Sequence, residues 1–335
     1  MAQLRKDPIT SRWIIVNTEN PKRPDEFQVE PHTQSTKVCP FCPGNEAMTP
    51  PEILVHGRRS GAKNTSSWLV RVVPNKFPAL RIEESTEKAG IGIYEKVGGF
   101  GAHEVIIENP DHNKQLADLP LDHVELVFKA FRDRCLDLRK DPRFKYILIF
   151  KNYGSSAGAS LEHPHSQLIG LPIVPSRVLG EIRGSTSYHE ASDRCIYCDI
   201  ISQERSEKKL TVFENDEFVS LCPFASRFPF ENCILPKNHQ SSFDAVEDRS
   251  LHALAQALKA TLVKIKKVLK DPAFNFMIHT IPMYSKEFET YHWHVEIIPQ
   301  LTRVAGFELG TGFYVNPTPP EMAAEALRCV TIPGL

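Results

Sequence analysis

Lys140 to Phe150 reads KDPRFKYILIF, and Lys270 to Thr280 reads KDPAFNFMIHT. Both segments carry Lys-Asp-Pro, an aromatic two residues on, a second aromatic, and then aliphatic residues. Each follows a stretch with helical periodicity. From Asp122 to Arg139, Val124, Val127, Phe128, Phe131, Cys135 and Leu138 fall at spacings of three and four behind an Asp N-cap. From about Asp248 to Leu269, Leu251, Leu254, Leu258, Leu262, Ile265 and Leu269 do the same. The proline ends each helix, and the aromatic and β-branched run after it predicts a strand.

The repeat extends further. Ahead of each helix the sequence predicts a strand closing on a histidine, His112 in HEVIIENPDH and His239 in ENCILPKNH. His112 to Pro142 is 30 residues and His239 to Pro272 is 33, while Pro142 to His163 is 21 and Pro272 to His292 is 20. Both halves therefore read C-x-x-C, strand with His, helix, Lys-Asp-Pro, strand, H-x-H. A duplication of this kind decides the fold. The expectation is an α+β chain of two alike halves, 1–175 and 176–335, with antiparallel sheets and helices packed on them. The two sheets are expected to join edge to edge, covering edges otherwise left open. Pro172 to Asp193, rich in Pro, Gly and Ser, reads as a crossover between the halves.

With 40 Lys and Arg against 41 Asp and Glu, the net charge of -1 gives no electrostatic argument for a nucleic-acid polymer or an anionic membrane as partner, and neither is expected; a small anionic ligand could still be held locally. The first residues, MAQLRKDPIT, lack the apolar core of a signal peptide, and no run of about 18 apolar residues occurs. A cytoplasmic location is the expectation. Disulfides are disfavoured there, and Cys135, Cys222, Cys233 and Cys329 read as small core residues.

The remaining four cysteines form Cys39-Pro-Phe-Cys42 and Cys195-Ile-Tyr-Cys198. A redox pair would open a helix, which the prolines around Cys42 oppose. Zinc needs two more ligands, and the repeat supplies them in register: Cys39, Cys42, His112 and His163 in one set, Cys195, Cys198, His239 and His292 in the other. The first histidine of each H-x-H is then a ligand. Residues i and i+2 of a strand lie about 6.6 to 6.8 Å apart, so His165 in Glu162-His163-Pro164-His165-Ser166-Gln167 stays off the same ion. Pro164 stiffens the step between them. Just upstream, KNYGSSAGAS (Lys151 to Ser160) offers glycines, backbone N–H groups and hydroxyls suited to phosphate oxygens, although no Walker A motif is present.

H-P-H-x-Q behind a Gly/Ser loop, with a paired second half, resembles the galactose-1-phosphate uridylyltransferase family of the histidine-triad superfamily. The resemblance runs from LRKDPITSRWIIV to GFELGTGFYVNPTPPE. It implies tandem histidine-triad-like modules, a homodimer, and a covalent nucleotidyl-histidine formed on His165 from UDP-glucose or another nucleoside diphosphate sugar, with a hexose 1-phosphate as leaving group and acceptor. Neutral imidazole suits that role. The resemblance also implies phosphoryl contacts from Gln167, Asn152 and Ser160 and nucleotide contacts from Arg23 and Asn75. Without it, Arg23 and Asn75 read as turn residues.

Two departures bear on specificity. The second metal site of the best-known members uses a Glu and three histidines; Glu181, His279 and His294 fall near those positions, but Glu296 stands where the last histidine would be. The second C-x-x-C instead matches relatives with a second zinc, so Cys195, Cys198, His239 and His292 are preferred, with Glu181, His279, His294 and Glu296 as the alternative. In Gly306 to Gly312, GFELGTG lacks a family tyrosine and glutamate and is closer to the branch containing plant ADP-glucose phosphorylase. Three functions are expected in order: transfer of UMP between UDP-glucose and galactose 1-phosphate, phosphorolysis of ADP-glucose, and zinc-stabilised nucleotide binding without catalysis.

Overall fold

The computed structural model describes residues 2–31, 38–58, 60–287 and 289–332. The elements in chain order are β1 (Ala2–Lys6), β2 (Trp13–Asn17), β3 (Leu54–His56), β4 (Val70–Pro74), β5 (Lys88–Ile91), β6 (Tyr94–Val97), β7 (Ala102–Ile107), α1 (Leu121–Leu138), β8 (Tyr146–Tyr153), β9 (His165–Leu171), α2 (Ser176–Ser192), α3 (Ile196–Glu207), β10 (Thr211–Glu214), β11 (Phe218–Leu221), β12 (Asn232–Pro236), α4 (Asp248–Leu269), β13 (Phe274–His279), β14 (His294–Pro299), α5 (Gly306–Thr311), β15 (Tyr314–Asn316) and α6 (Pro320–Arg328). The fold is α+β, as the repeat predicts. Among the described residues no helix is long and apolar enough to cross a membrane.

Ten strands form one antiparallel sheet in the order β10-β11-β12-β14-β13-β8-β9-β7-β4-β3. The expected edge-to-edge joint is the pairing of β8 with β13, from Phe274 opposite Tyr153 to Ile278 opposite Ile149. Alternation along the strands then sorts the side chains. Ile147, Ile149, Leu168, Phe276, Ile278, Val295 and Ile297 share one core with Val127, Phe128 and Phe131 of α1 and Leu254, Leu258 and Leu262 of α4. Burying each of the larger of these contributes about 1.5–3 kcal/mol. His103, Phe150, Asn152, His165, Gln167, Asn275 and His279 alternate onto the opposite face. At the chain ends, β2 pairs with β1 and, in parallel, with β15.

Several boundaries differ from the sequence reading. Helix α1 begins at Leu121 with Pro120 at the N-cap, leaving Asp122 in the first turn, where its charge favours the helix dipole. Strands β7 and β12 stop at Ile107 and Pro236, so His112 and His239 sit in the turns that follow. The segment read as a crossover is largely helical: α2 runs from Ser176 to Ser192. Its Gly184 faces the backbone of Ile9, where a Cβ would stand 1.6 Å from the Ile9 carbonyl oxygen, so this glycine serves close packing rather than a turn. Cys135 and Cys222 are buried as expected, but Cys233 is half-buried and Cys329 is exposed in the turn capping α6.

Several buried ionic groups brace the sheet, two of them close to the H-x-H segments. Lys151 Nζ lies 2.8 Å from Glu108 Oε2 with side chains 1% and 0% exposed, and it also donates to the His165 carbonyl at 3.2 Å. Ser166 Oγ donates to the other Glu108 oxygen. In the second half, His279 lies 3.3 Å from Glu181 and 3.6 Å from Glu296. Burial opposes charging His279, but the Glu181 carboxylate, helped by Glu296, outweighs it and raises the imidazole to about 9.

Removing one partner of a buried pair strands the other. Glu108→Ala and Lys151→Met are each expected to cost about 3–5 kcal/mol in denaturant unfolding, the double change costing less than their sum. For His279 the folded pKa lies above the unfolded value of about 6.5, so its contribution is complete below that pH and is lost as pH rises through about 9. Melting temperatures taken from pH 6 to 10 should fall more steeply for the wild type than for His279→Gln.

Candidate active site

His165 opens β9, opposite Ile107 of β7. Pro164 immediately precedes the strand and its carbonyl accepts from the Glu108 N–H, so the step from His163 to His165 is tied to β7. The His165 ring folds back on its own backbone: Nδ1 lies 2.8 Å from the His163 carbonyl oxygen. A carbonyl can only accept, so Nδ1 carries the proton and Nε2 carries the lone pair. Nε2 has no hydrogen-bond partner among the described residues. Burial lowers the pKa and keeps the ring neutral. The result is an oriented, unprotonated nitrogen.

That nitrogen belongs to a cleft of about 450 Å³ whose lining includes Asn152, Gly154, Ser155, Ser160, His163 and His165. The Gly/Ser stretch forms a short 3-10 turn, Ser155–Ala157, between Gly154 at φ 82° and Gly158 at φ 86°, backbone angles that favour glycine at both ends. Gln167 follows on the same face of β9, and its Oε1 lies 2.8 Å from His103 Nε2. The Ala79 N–H donates to His103 Nδ1, so Nε2 is the donor and the Gln167 NH₂ remains to donate elsewhere. Asn75 Nδ2 lies 3.1 Å from the same His103 nitrogen, a donor beside a donor, so the two are neighbours without sharing a hydrogen bond.

The structure thus brings Asn152, Ser160, His163 and His165 into one cleft and sets Asn75 and Gln167 beside the same His103 nitrogen. Arg23 stands apart: it is exposed, in the turn before a short helix at Pro24–Glu26, with its N–H bonded to Glu26. Sequence reasoning missed His103 and Phe41. The first begins the β7 alternation with Val105 and Ile107 on one face; the second packs edge-on to both His163 and His165, at 6.1 and 5.3 Å between ring centroids.

Both Cys/His sets assemble. Cys39, Cys42, His112 and His163 place their ligand atoms within 4.8 Å of one another, as do Cys195, Cys198, His239 and His292. Cys42 Sγ lies 3.3 and 3.5 Å from the Nδ1 atoms of His112 and His163. In each set the H-x-H ligand donates Nε2–H to a backbone carbonyl at 2.8 Å, His163 to Asn109 and His292 to Pro236, which turns Nδ1 toward the sulfurs. Burial pushes His163 down to about 4, so its ring is neutral, the form in which imidazole can ligate a metal. Soft thiolates with imidazoles in this number fit a structural zinc. Cys195 caps α3, a position that a redox pair would share, but two histidines within ligand distance distinguish it.

The alternative set also gathers, with Glu181, His279 and His294 within 4.8 Å. Here His279 is charged, and its ring stacks on His294 at 4.8 Å. Glu296 is taken by Arg177 at 2.7 Å and by Arg227. A metal there would have to displace the His279 proton. His294 repeats the fold-back of His165, its Nδ1 lying 3.1 Å from the His292 carbonyl, but Glu296 replaces the amide donor. Burial opposes the charge on Glu296, yet Arg227 and Arg177 hold its carboxyl well below the usual range.

Residues 1–175 match the family model described as galactose-1-phosphate uridyl transferase, N-terminal domain, and residues 99–329 match a domain of unknown function. Among curated proteins the chain is 38% identical to ADP-glucose phosphorylase from Arabidopsis thaliana, over 98% of this chain and 93% of that one. It is 32% identical to galactose-1-phosphate uridylyltransferase from Thermotoga maritima, over 98% of each. The crystal structure of an Arabidopsis thaliana ADP-glucose phosphorylase with bound ADP-glucose superposes with a TM-score of 0.84 at 36% identity, covering 99% of both chains. By sequence and by fold along its whole length, the chain belongs to the galactose-1-phosphate uridylyltransferase family.

Proposed function

We propose that the protein is a UDP-glucose–hexose-1-phosphate uridylyltransferase that converts UDP-glucose and galactose 1-phosphate to UDP-galactose and glucose 1-phosphate through a uridylyl-His165 intermediate. The observation carrying this is the Nδ1 bond from His165 to the His163 carbonyl, which points a neutral Nε2 lone pair at a cleft lined by amide and hydroxyl donors. In the first half-reaction Nε2 attacks the α-phosphorus, and the bond to the bridging oxygen of glucose 1-phosphate breaks. That phosphate leaves as a stable anion and needs no general acid, which suits Gln167 in place of a third histidine. The phosphorylated imidazole is cationic, and its Nδ1–H keeps the His163 carbonyl as partner. In the second half-reaction the phosphate of galactose 1-phosphate attacks phosphorus, the P–N bond breaks, and neutral His165 returns. Gln167 NH₂, Asn152 and Ser160 donate to phosphoryl oxygens; Asn75 contacts the nucleotide.

In this reading zinc is bound by Cys39, Cys42, His112 and His163, and a second zinc by Cys195, Cys198, His239 and His292. When bound, it holds the thiolates and fixes His163, whose carbonyl orients the nucleophile. Residues 1–175 form the catalytic half and 176–335 the supporting half, in a cytoplasmic homodimer. A second reading, ADP-glucose phosphorolysis with phosphate as acceptor, is supported by the 38% identity to the Arabidopsis thaliana phosphorylase and by GFELGTG, which forms α5 and lacks the family tyrosine.

Incubation with UDP-glucose or ADP-glucose labelled at the α-phosphate is expected to leave acid-labile label on the protein from UDP-glucose and none in His165→Asn. Label from ADP-glucose alone moves the assignment to the second reading; undiminished label in His165→Asn defeats the covalent mechanism. Elemental analysis should return two zinc per chain, falling to one in Cys198→Ser. In Cys42→Ser, loss of the first zinc should be accompanied by at least a 100-fold drop in labelling rate, since 10–100-fold is the usual effect of disturbing even the partners of a metal ligand.

A further inference from the structure

Asn152 of β8 and Asn275 of β13 are direct partners across the joint between the two halves, on the face that carries His165 and Gln167. Three side-chain amides form a chain there. Asn275 Nδ2 lies 2.9 Å from the Ala157 carbonyl oxygen and 2.8 Å from Asn152 Oδ1, and Gln300 Nε2 lies 2.7 Å from Asn275 Oδ1. An amide can usually be turned over without changing its shape, but the Ala157 carbonyl removes that freedom. It only accepts, so the Asn275 group that meets it is the NH₂. The second N–H of that NH₂ then goes to Asn152 Oδ1, and Asn275 Oδ1 is left for Gln300. Gln300 is itself anchored, its N–H donating to the Ala273 carbonyl at 2.8 Å. Both donors and the acceptor of Asn275 are engaged.

The consequence falls on Asn152. With its oxygen taken, it presents its NH₂ to the cleft, on the side where Gly158 leaves room; a Cβ at Gly158 would lie 3.8 Å from Asn152 Nδ2. The bond to Ala157 meanwhile fixes the middle of the Ser155–Ala157 turn. We propose that Asn275 and Gln300, both from the second half of the repeat, are positioning residues for nucleotidyl transfer: they set the Asn152 amide as a donor to the phosphoryl group and pin the Gly/Ser turn that closes the cleft. The inference rests on the reading above, in which Asn152 donates to a phosphoryl oxygen.

Isosteric and truncating changes separate orientation from packing. Asn275→Asp puts oxygens against Ala157 O and Asn152; the Asn152 amide turns over to donate to the new carboxylate and offers its own oxygen to the phosphate. Asn275→Ala leaves Asn152 free to turn either way. Gln300→Glu acts in the same manner one link further out, by facing Asn275 Oδ1 with an acceptor. Single-turnover labelling of His165, with whichever α-labelled nucleotide sugar labels the wild type, should slow on the order of 100-fold in Asn275→Asp, the usual effect of losing one transition-state donor. Asn275→Ala should slow about 10-fold, and Gln300→Glu more than Gln300→Ala. In Asn152→Ala the further change Asn275→Asp should cost little. Zinc content and melting temperature accompany each measurement.

Isosteric variants that label as fast as the wild type, or truncations that are the more damaging, overturn the inference while leaving the proposed function standing. Additive effects of Asn152→Ala and Asn275→Asp overturn it too. A wild type that takes no label from either nucleotide sugar overturns the functional reading itself and this inference with it.

Discussion

The pairing of β8 with β13 is the constraint from which the rest of the molecule follows. A five-stranded half ending at β8 or β13 would present a row of unpaired backbone donors and acceptors, and each edge satisfies the other through the run from Phe274 opposite Tyr153 to Ile278 opposite Ile149. The joint also fixes register. A slip of one residue would send Phe276 and Ile278 out of the core they share with α1 and α4 and turn Asn275 away from Asn152. Core packing and the polar face of the cleft are thereby set by the same hydrogen bonds.

On that sheet, each half ends its H-x-H in the same way. The first histidine gives Nε2–H to a carbonyl and Nδ1 to a cysteine cluster; the second gives Nδ1–H to the carbonyl of the first. Orientation of His165 is thus inherited from the cysteine–histidine set through a single backbone carbonyl. Beneath it, Lys151 holds the His165 carbonyl from the other side while paired with Glu108, so both the backbone and the ring of this residue are fixed.

Much of this was legible in the sequence because it is written in spacings. The repeat, the antiparallel sheet, α4, and both cysteine–histidine sets come from periodicity and from counting, and the structure places them within a residue or two. What was not legible depends on which strands become neighbours. His103 acquires meaning only because β7 lies beside β9, and Phe41 only because its turn folds over the H-x-H. Helix α2 was hidden for a different reason: Gly180, Gly184 and its serines read as loop composition, whereas Gly184 is small because the Ile9 backbone crosses it. Cys329 was misread because the apolar residues near it belong to α6, whose buried face is Ala323, Ala324 and Leu327.

The second half also carries an oriented histidine, His294, but its electrostatic setting is different. At the position of Gln167 it carries Glu296, and a phosphoryl group brought near a carboxylate at about 4 Å is opposed by about 4 kcal/mol per charge pair at an effective dielectric of 20. Arg177 and Arg227 do not reverse this, because both are already engaged with Glu296 itself, Arg227 also with Glu231. His279, charged, stacks on the face of the His294 ring and adds a buried positive charge beside it. Restoring a donor would therefore require more than Glu296→Gln, since two arginines and an imidazolium would be left without their shared carboxylate. Once such a network is buried, its parts change together or not at all. The half that carries it meets the other half through the pairing of β13 with β8.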